Sequence, residues 1–246
     1  MELKIINMYP DILNLNGDIG NLICIKQRCI WRGIGVNVEN FTIGNEVAIE
    51  EADMILMSGG SHNNQKTISS HLLKQKKELE NFIEEEKVIL AISSSYQMFG
   101  NSYINSDKSE TDEKKIQCLE IFDIETLAQR DTLIGNTIIE NNLGLKPKEI
   151  IGFKNHGSGT YHDYTPLGSV KLGQGNNEEE KKEGMIYKNF IGSYLHGPLL
   201  PKNPHLADYV ILAALKNKYD VESLKKIDDT FEIKAHDNII KRLRNP

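Results

Sequence analysis

The 246-residue sequence has no apolar window approaching the ~18 consecutive residues that a membrane span requires. Its amino terminus, Met-Glu-Leu-Lys-Ile-Ile, starts charged and carries only a short apolar run, so neither a signal peptide nor a transmembrane segment is expected. Basic residues form no long stretch and the net charge is -6, which argues against nucleic acid as the main partner. Cysteine is scarce. Cys24, Cys29 and Cys118 are odd in number and match no metal-ligand spacing, so a reducing cytoplasm and no bound metal are expected. All three read as packing residues, Cys24 and Cys29 on one helix. No P-loop or other nucleotide-binding pattern occurs, so ATP chemistry would have to lie outside this chain.

What is present is 39% hydrophobic residues, enough for a substantial core, and residues 1–246 are expected to form one domain. Leu3 to Met8, Val36 to Phe41, Asp53 to Met57 and Val88 to Ile92 read as strands. Asn21 to Arg32 reads as a helix ending at Gly33. Between the last two strands, Ile68, Leu72, Leu79, Phe82 and Ile83 fall at helical spacing, predicting an amphipathic helix over roughly Thr67 to Glu86. This alternation predicts an α/β fold with a central, mostly parallel sheet flanked by helices. A ligand would then sit outside the carboxyl ends of the strands. Further on, residues 101–115 are polar and read as a surface loop. Ile121 to Thr126 and Leu133 to Glu140 read as strands joined by Leu127 to Thr132. Gly152 to Thr160 reads as a glycine-rich loop and Glu178 to Glu183 as a solvated hairpin tip. Leu206 to Tyr219 reads as a helix with a strong apolar face.

Val88-Ile-Leu-Ala-Ile92 is the pattern of a strand buried on both faces, and it ends abruptly in Ser93-Ser-Ser-Tyr-Gln97-Met-Phe-Gly100. If Tyr96 to Phe99 opens a helix, the serines form a tight strand-to-helix turn. That geometry presents a nucleophile at Ser93 and aims backbone N–H groups at an oxyanion. A serine-rich loop capping the next helix is the alternative reading. In Phe190-Ile-Gly-Ser-Tyr-Leu-His196-Gly-Pro, a strand ending in His-Gly-Pro places an imidazole at a carboxyl edge. His196 is there the candidate general base. Tyr9 to Asn21 is rich in Asn, Gly and Asp, and reads as a turn with an N-cap.

With Gln97 four residues after the elbow, the segment resembles the Cys-x-Gly-x-Gln elbow of class I glutamine amidotransferases. Asn14-Leu-Asn-Gly-Asp-Ile-Gly-Asn21, Trp31-Arg-Gly33, Gly152-Phe-Lys-Asn-His156, Gly173-Gln-Gly-Asn-Asn177 and the His196 string extend the resemblance over nearly the whole chain. They point to the branch containing the glutaminase subunit of lipid II isoglutaminyl synthase, related to the cobyric acid synthase amidotransferases. The segment Asp228 to Ala235 is similar to that branch's closing helix.

The resemblance implies Ser93 and His196 as the catalytic pair, with Gly59, Gly60, Ser94, Gln97, Arg130 and His156 lining the glutamine site. Gly59 and Gly60 would be the oxyanion loop. It also implies a heterodimer with a Mur-ligase-like synthetase, in which ATP and Mg are held by the partner and released ammonia amidates the D-glutamate of the peptidoglycan precursor. The departures are specific. Ser93 stands at the cysteine position, Ser94 and Ser95 replace glycines, and Ser61 and His62 replace Gln and Asp, whereas Gln65 is in place. Lys154 replaces an acid, Gly159 stands where arginine is common, and Pro198 stands where many class I enzymes carry an orienting glutamate. Thr132 holds the place of the substrate-binding arginine. Arg130 lies two residues earlier, on the same strand face but about 7 Å away, and a surface arginine is its alternative reading. A catalytically inactive binding or scaffolding subunit is therefore the second reading of the chain. A serine hydrolase using Ser93 and His196 is the third, lacking a Gly-x-Ser-x-Gly turn and an evident acid.

Overall fold

The computed structural model describes residues 1–105 and 114–245, with the side chains of 104, 105, 114, 115 and 130 outside that description. The first half runs β1 (Glu2–Met8), α1 (Ile19–Trp31), β2 (Gly35–Phe41), β3 (Met54–Met57), α2 (His62–Leu72), α3 (Lys76–Glu84), β4 (Val88–Ile92) and α4 (Ser94–Gln97). Strands β5 (Ser102–Asn105), β6 (Lys114–Gln117), β7 (Glu125–Asn141), β8 (Glu149–Tyr161), β9 (Gly168–Leu172) and β10 (Lys182–Glu183) follow. The chain closes with β11 (Met185–Tyr187), β12 (Phe190–Ser193), α5 (Leu199–Lys202), α6 (Pro204–Tyr219) and α7 (Thr230–Arg244).

The first sheet has the order β11-β12-β4-β3-β1-β2 and is parallel except for its edge strand β11. Every residue of β3 and β4 is buried, as expected of inner strands covered on both faces. One face packs Ile55, Met57, Ile89 and Ala91 against Ile68 and Leu72 of α2 and Leu79, Phe82 and Ile83 of α3. The other packs Met54, Leu56, Val88 and Leu90 against Leu22, Ile25 and Cys29 of α1 and Val210, Ile211 and Ala214 of α6. The α/β fold read from the sequence is therefore present, and Cys29 is a packing residue in it.

Five local readings are corrected. The helix expected over Thr67 to Glu86 begins at His62, where Ser61 and Asn64 form a reciprocal capping box. A 3₁₀ turn, Leu73–Gln75, then divides it in two, so that both halves reach one core. Residues 101–115 are not simply a loop, since β5 and β6 pair antiparallel at its two ends, while residues 106–113 lie outside the described residues. The two strands expected around Leu127 to Thr132 are one long β7, which starts at Glu125 and whose register to β8 shifts between Ala128 and Leu133.

The fourth correction reveals a second sheet. Gly152 to Thr160 is no loop but most of β8, which pairs antiparallel with β7 in a sheet of order β10-β9-β7-β5-β6. Glycine occurs there for close approach, not for a turn: a Cβ on Gly152 would sit 2.5 Å from Leu195 Cβ. The two sheets are tied where Phe153 and His196 exchange backbone N–H···O bonds of 3.2 and 3.0 Å. Glu178 to Glu183 is likewise not wholly solvated, because Glu183 is fully buried, 3.5 Å from the equally buried Lys154 ammonium. Among the described residues, no helix is long and apolar enough to cross a membrane.

Helices α1, α6 and α7 are joined through Arg28, whose guanidinium is 2% exposed. It donates to both oxygens of Asp208 and both oxygens of Asp229, at 2.7 to 2.8 Å. Removing one member of a buried charge network leaves the others unpaired. Arg28→Ala is expected to lower unfolding free energy by about 3 to 5 kcal/mol, read from urea denaturation.

Candidate active site

The site is built where four parallel strands of the first sheet end. Ser93 follows β4 with φ 57 and ψ -123, a conformation that a non-glycine residue holds only at a cost of about 1 to 3 kcal/mol. Its N–H still donates to Ser193 O at 2.7 Å, extending the β4–β12 ladder by one bond before the chain turns. Helix α4 starts at Ser94, two residues earlier than expected, and is one turn long. The sharp strand-to-helix elbow is thus present. On the neighbouring strand, β3 ends in Ser58 and the Gly59–Gly60 loop, which lies directly against the elbow. A Cβ on Gly59 would be 2.9 Å from Ser93 Cβ and 3.3 Å from its Oγ, so only glycine fits there.

His196 lies three residues beyond β12, the strand on the other side of β4, and its ring is 1% exposed. Burial, with the nearby Lys202 and Lys154 charges, lowers its pKa to about 4, so the imidazole is neutral near pH 7, as a general base must be. Among the described residues, both its ring nitrogens are buried without a partner, and no hydrogen bond joins it to Ser93. His156, on β8, stacks on the Tyr194 ring at 3.7 Å and 8° and bonds Ser158 O through Nδ1 at 2.7 Å. Burial and the Lys154 charge push its pKa down to about 3, and its Nε2 also lacks a partner among the described residues. Three orphaned ring nitrogens in one region are the polar groups left for a ligand.

The other expected residues divide. Gln97 is 3% exposed and fully engaged: its amide nitrogen donates to Ser158 Oγ at 2.5 Å and Tyr194 Oη at 2.9 Å, and its oxygen accepts from Gln65 at 2.9 Å. It supports the elbow from beneath. Ser94 turns its hydroxyl toward the glycine loop, where it accepts the Gly60 N–H at 2.7 Å. Arg130 lies on β7, with its side chain outside the described residues.

Asp18 is a functional candidate that the sequence reading missed, having been read as part of a turn and N-cap. It precedes α1 but makes no side-chain cap bond. Its buried carboxylate instead accepts long bonds of 3.4 Å from Gly59 N–H and from Gly197 N–H, linking the glycine loop to the His196 loop. Burial raises its pKa to about 6. Lys202 lies near it and donates to His196 O at 3.3 Å. A cavity of about 560 Å³, lined by Asp123, Glu125, His162 and Glu180 among others, includes none of Ser93, His156 or His196.

A strained elbow, a glycine loop on the adjoining strand and a neutral buried histidine on the other neighbour define an α/β protein of the nucleophile-elbow class. Residues 4–204 match the CobB/CobQ-like glutamine amidotransferase domain. The chain is 39% identical to the lipid II isoglutaminyl synthase (glutamine-hydrolyzing) subunit GatD of Staphylococcus aureus, over 98% of this chain and 96% of that protein. It is 34% identical to the subunit of the same name from Streptococcus pneumoniae, covering 89% of this chain and 82% of that one. A probable cobyric acid synthase of Methanococcus maripaludis is 30% identical over 71% of this chain but only 36% of its own length. The chain belongs to the CobB/CobQ-like glutamine amidotransferase family.

Depressed histidine pKa values make a pH signature. His156, His196 and His205 at the start of α6 are lowered from 6.5 to about 3, 4 and 4, in each case chiefly by burial. Between those values and 6.5 the unfolded chain binds more protons at these sites, so stability falls as pH falls. Asp18, raised from 3.8 to about 6, acts in the opposite sense as the one carboxylate among them. The urea midpoint is expected to drop between pH 7 and pH 5 and to hold between pH 7 and pH 8. In the same titration His196 ring signals should show no imidazolium above pH 6.

Proposed function

We propose that this chain is the glutamine-binding, amidotransferase-type subunit of a two-subunit enzyme that amidates lipid II. The observation carrying this reading is the reciprocal, nearly full-length match to two subunits that bear that name. The elbow at Ser93, the glycine loop and the neutral His196 fit the same chemistry. In that chemistry the nucleophile attacks the side-chain amide carbon of glutamine, His196 takes its proton, and an oxyanion forms and is held by backbone N–H groups. As that intermediate collapses, His196 returns its proton to the departing nitrogen, which leaves as ammonia, and water hydrolyses the remaining acyl-enzyme to glutamate. The partner is a Mur-ligase-like synthetase that holds ATP and Mg, activates the acceptor carboxylate and receives the ammonia.

The second reading, a subunit that binds without hydrolysing, is favoured by two observations. The nucleophile is a hydroxyl with no histidine bonded to it, and both glycine-loop amides already have partners within the chain. A hydroxyl is a weaker nucleophile than a thiol that is partly thiolate. The two readings separate in one assay: lipid II amidation by the chain with its synthetase, supplied with either glutamine or ammonium as nitrogen source. Under the proposal, glutamine supports amidation, slowed by the hydroxyl nucleophile and by the Gly60 amide already bonded to Ser94, and Ser93→Ala abolishes that support while leaving the ammonium reaction intact. Amidation from ammonium alone assigns the binding role. Failure of the chain to co-purify with the synthetase would remove both.

A further inference from the structure

The three consecutive serines of the elbow are not equivalent. Ser93 is the strained residue, whereas Ser94 and Ser95 reach across to the glycine loop. Ser94 Oγ accepts the Gly60 N–H at 2.7 Å, and Ser95 Oγ donates to Ser58 O at 2.5 Å, one residue before Gly59. The backbone of Ser94 is pinned from the opposite side, where Gln65 Nε2 donates to its carbonyl at 3.1 Å. The loop cannot easily retreat, because a Cβ on Gly60 would already meet Leu13 Cδ2 at 2.5 Å and Asn64 Cβ at 2.9 Å.

An elbow nucleophile needs an oxyanion pocket, made by the N–H of the residue after it and an N–H from an adjoining loop. The adjoining loop here has two candidate amides. Gly59 N–H faces Asp18 at a long 3.4 Å, and Gly60 N–H is taken by the Ser94 hydroxyl at a short 2.7 Å. Ser93 and Ser94 are 5% and 7% exposed, so little room remains for a substrate oxygen to enter beside them.

We propose that Ser94 is a positioning residue that holds the oxyanion pocket closed, its hydroxyl occupying the Gly60 amide that a tetrahedral intermediate would require. The glutamine-site reading of Ser94 thereby becomes a control over that site. This inference rests on the amidotransferase reading for its catalytic consequence, but not for the contact itself. It also separates the roles of Ser93 and Ser94. Ser93 sets the strength of the nucleophile, while Ser94 sets whether charge on the attacked oxygen is stabilised. Restoring a thiol at position 93 alone therefore leaves the pocket closed.

The test has two arms on the full chain. In the first, backbone amide exchange at Gly60 is measured for the chain as it stands, for Ser94→Ala and for Ser94→Thr. Loss of the hydroxyl is expected to speed exchange about tenfold while Ser94→Thr keeps it slow, since a closed hydrogen bond must open before exchange. Gly60 exchange that is unchanged in Ser94→Ala overturns the proposal. In the second, Ser93→Cys and Ser93→Cys/Ser94→Gly are compared for glutamine hydrolysis with the synthetase bound. One oxyanion donor is worth about 10²- to 10³-fold, so the double variant should exceed the single by about that factor in kcat, with KM little changed. Equal kcat values overturn the proposal. A double variant that hydrolyses nothing counts against the amidotransferase reading, and the exchange arm still decides the role of Ser94.

Discussion

Everything at the site depends on β4 being buried on both faces and ending in a residue that cannot continue it. Five apolar residues fill the centre of the parallel sheet, with β3 on one side and β12 on the other. The next residue keeps one ladder bond to Ser193 and then turns to positive φ. That single reversal brings three chain segments together: the elbow, the glycine loop after β3 and the histidine segment after β12. The strain at Ser93 is held because the residues around it are over-determined, with Gly59 in contact on one side and Gln97 bonded to three partners below.

The second sheet sets the environment of the histidine. His196 has no backbone neighbour in the parallel sheet, since β12 ends at Ser193, and Phe153 of β8 supplies both of its backbone bonds. One residue along β8, Lys154 carries a fully buried ammonium. It donates to Gly175 O at 2.6 Å and faces Glu183, which in turn accepts from Tyr194 N–H at 2.9 Å and Ser193 Oγ at 3.1 Å. A buried ion pair of this kind is a poor source of net stability, because desolvation offsets most of the attraction. Its consequence here is local. The Lys154 charge adds to burial in keeping both His156 and His196 unprotonated.

The parallel half of the fold was legible because each buried strand is a short apolar run and each helix has a regular stripe. The antiparallel half was not. β8 contains three glycines, Gly152, Gly157 and Gly159, that ordinarily signal a loop, and at Gly152 and Gly159 only the neighbours they fit against explain them in a strand. For the site, strand ends made Ser93, His196 and the glycine loop candidates, and the resemblance to class I amidotransferases singled them out. Asp18 was hidden. Its surroundings in sequence are those of a turn, and its partners, Gly59 and Gly197, lie 41 and 179 residues away. Glu183 was hidden for a similar reason, being one acid in a charged run whose other members face outward.

The serine substitutions at the elbow form a consistent set rather than independent losses. Replacing glycine by serine in a tight turn adds a Cβ and a polar group, and a buried hydroxyl without a partner is destabilising. Neither hydroxyl at 94 or 95 is left without one: each bonds to the glycine-loop backbone, one as acceptor and one as donor. The same bonds that make these serines tolerable in the fold use up the loop's freedom and its Gly60 donor. A glycine at position 94 has no hydroxyl to take up the Gly60 amide. This elbow satisfies that amide in the resting fold, so accommodation of the Ser94 side chain and closure of the proposed pocket are one physical event.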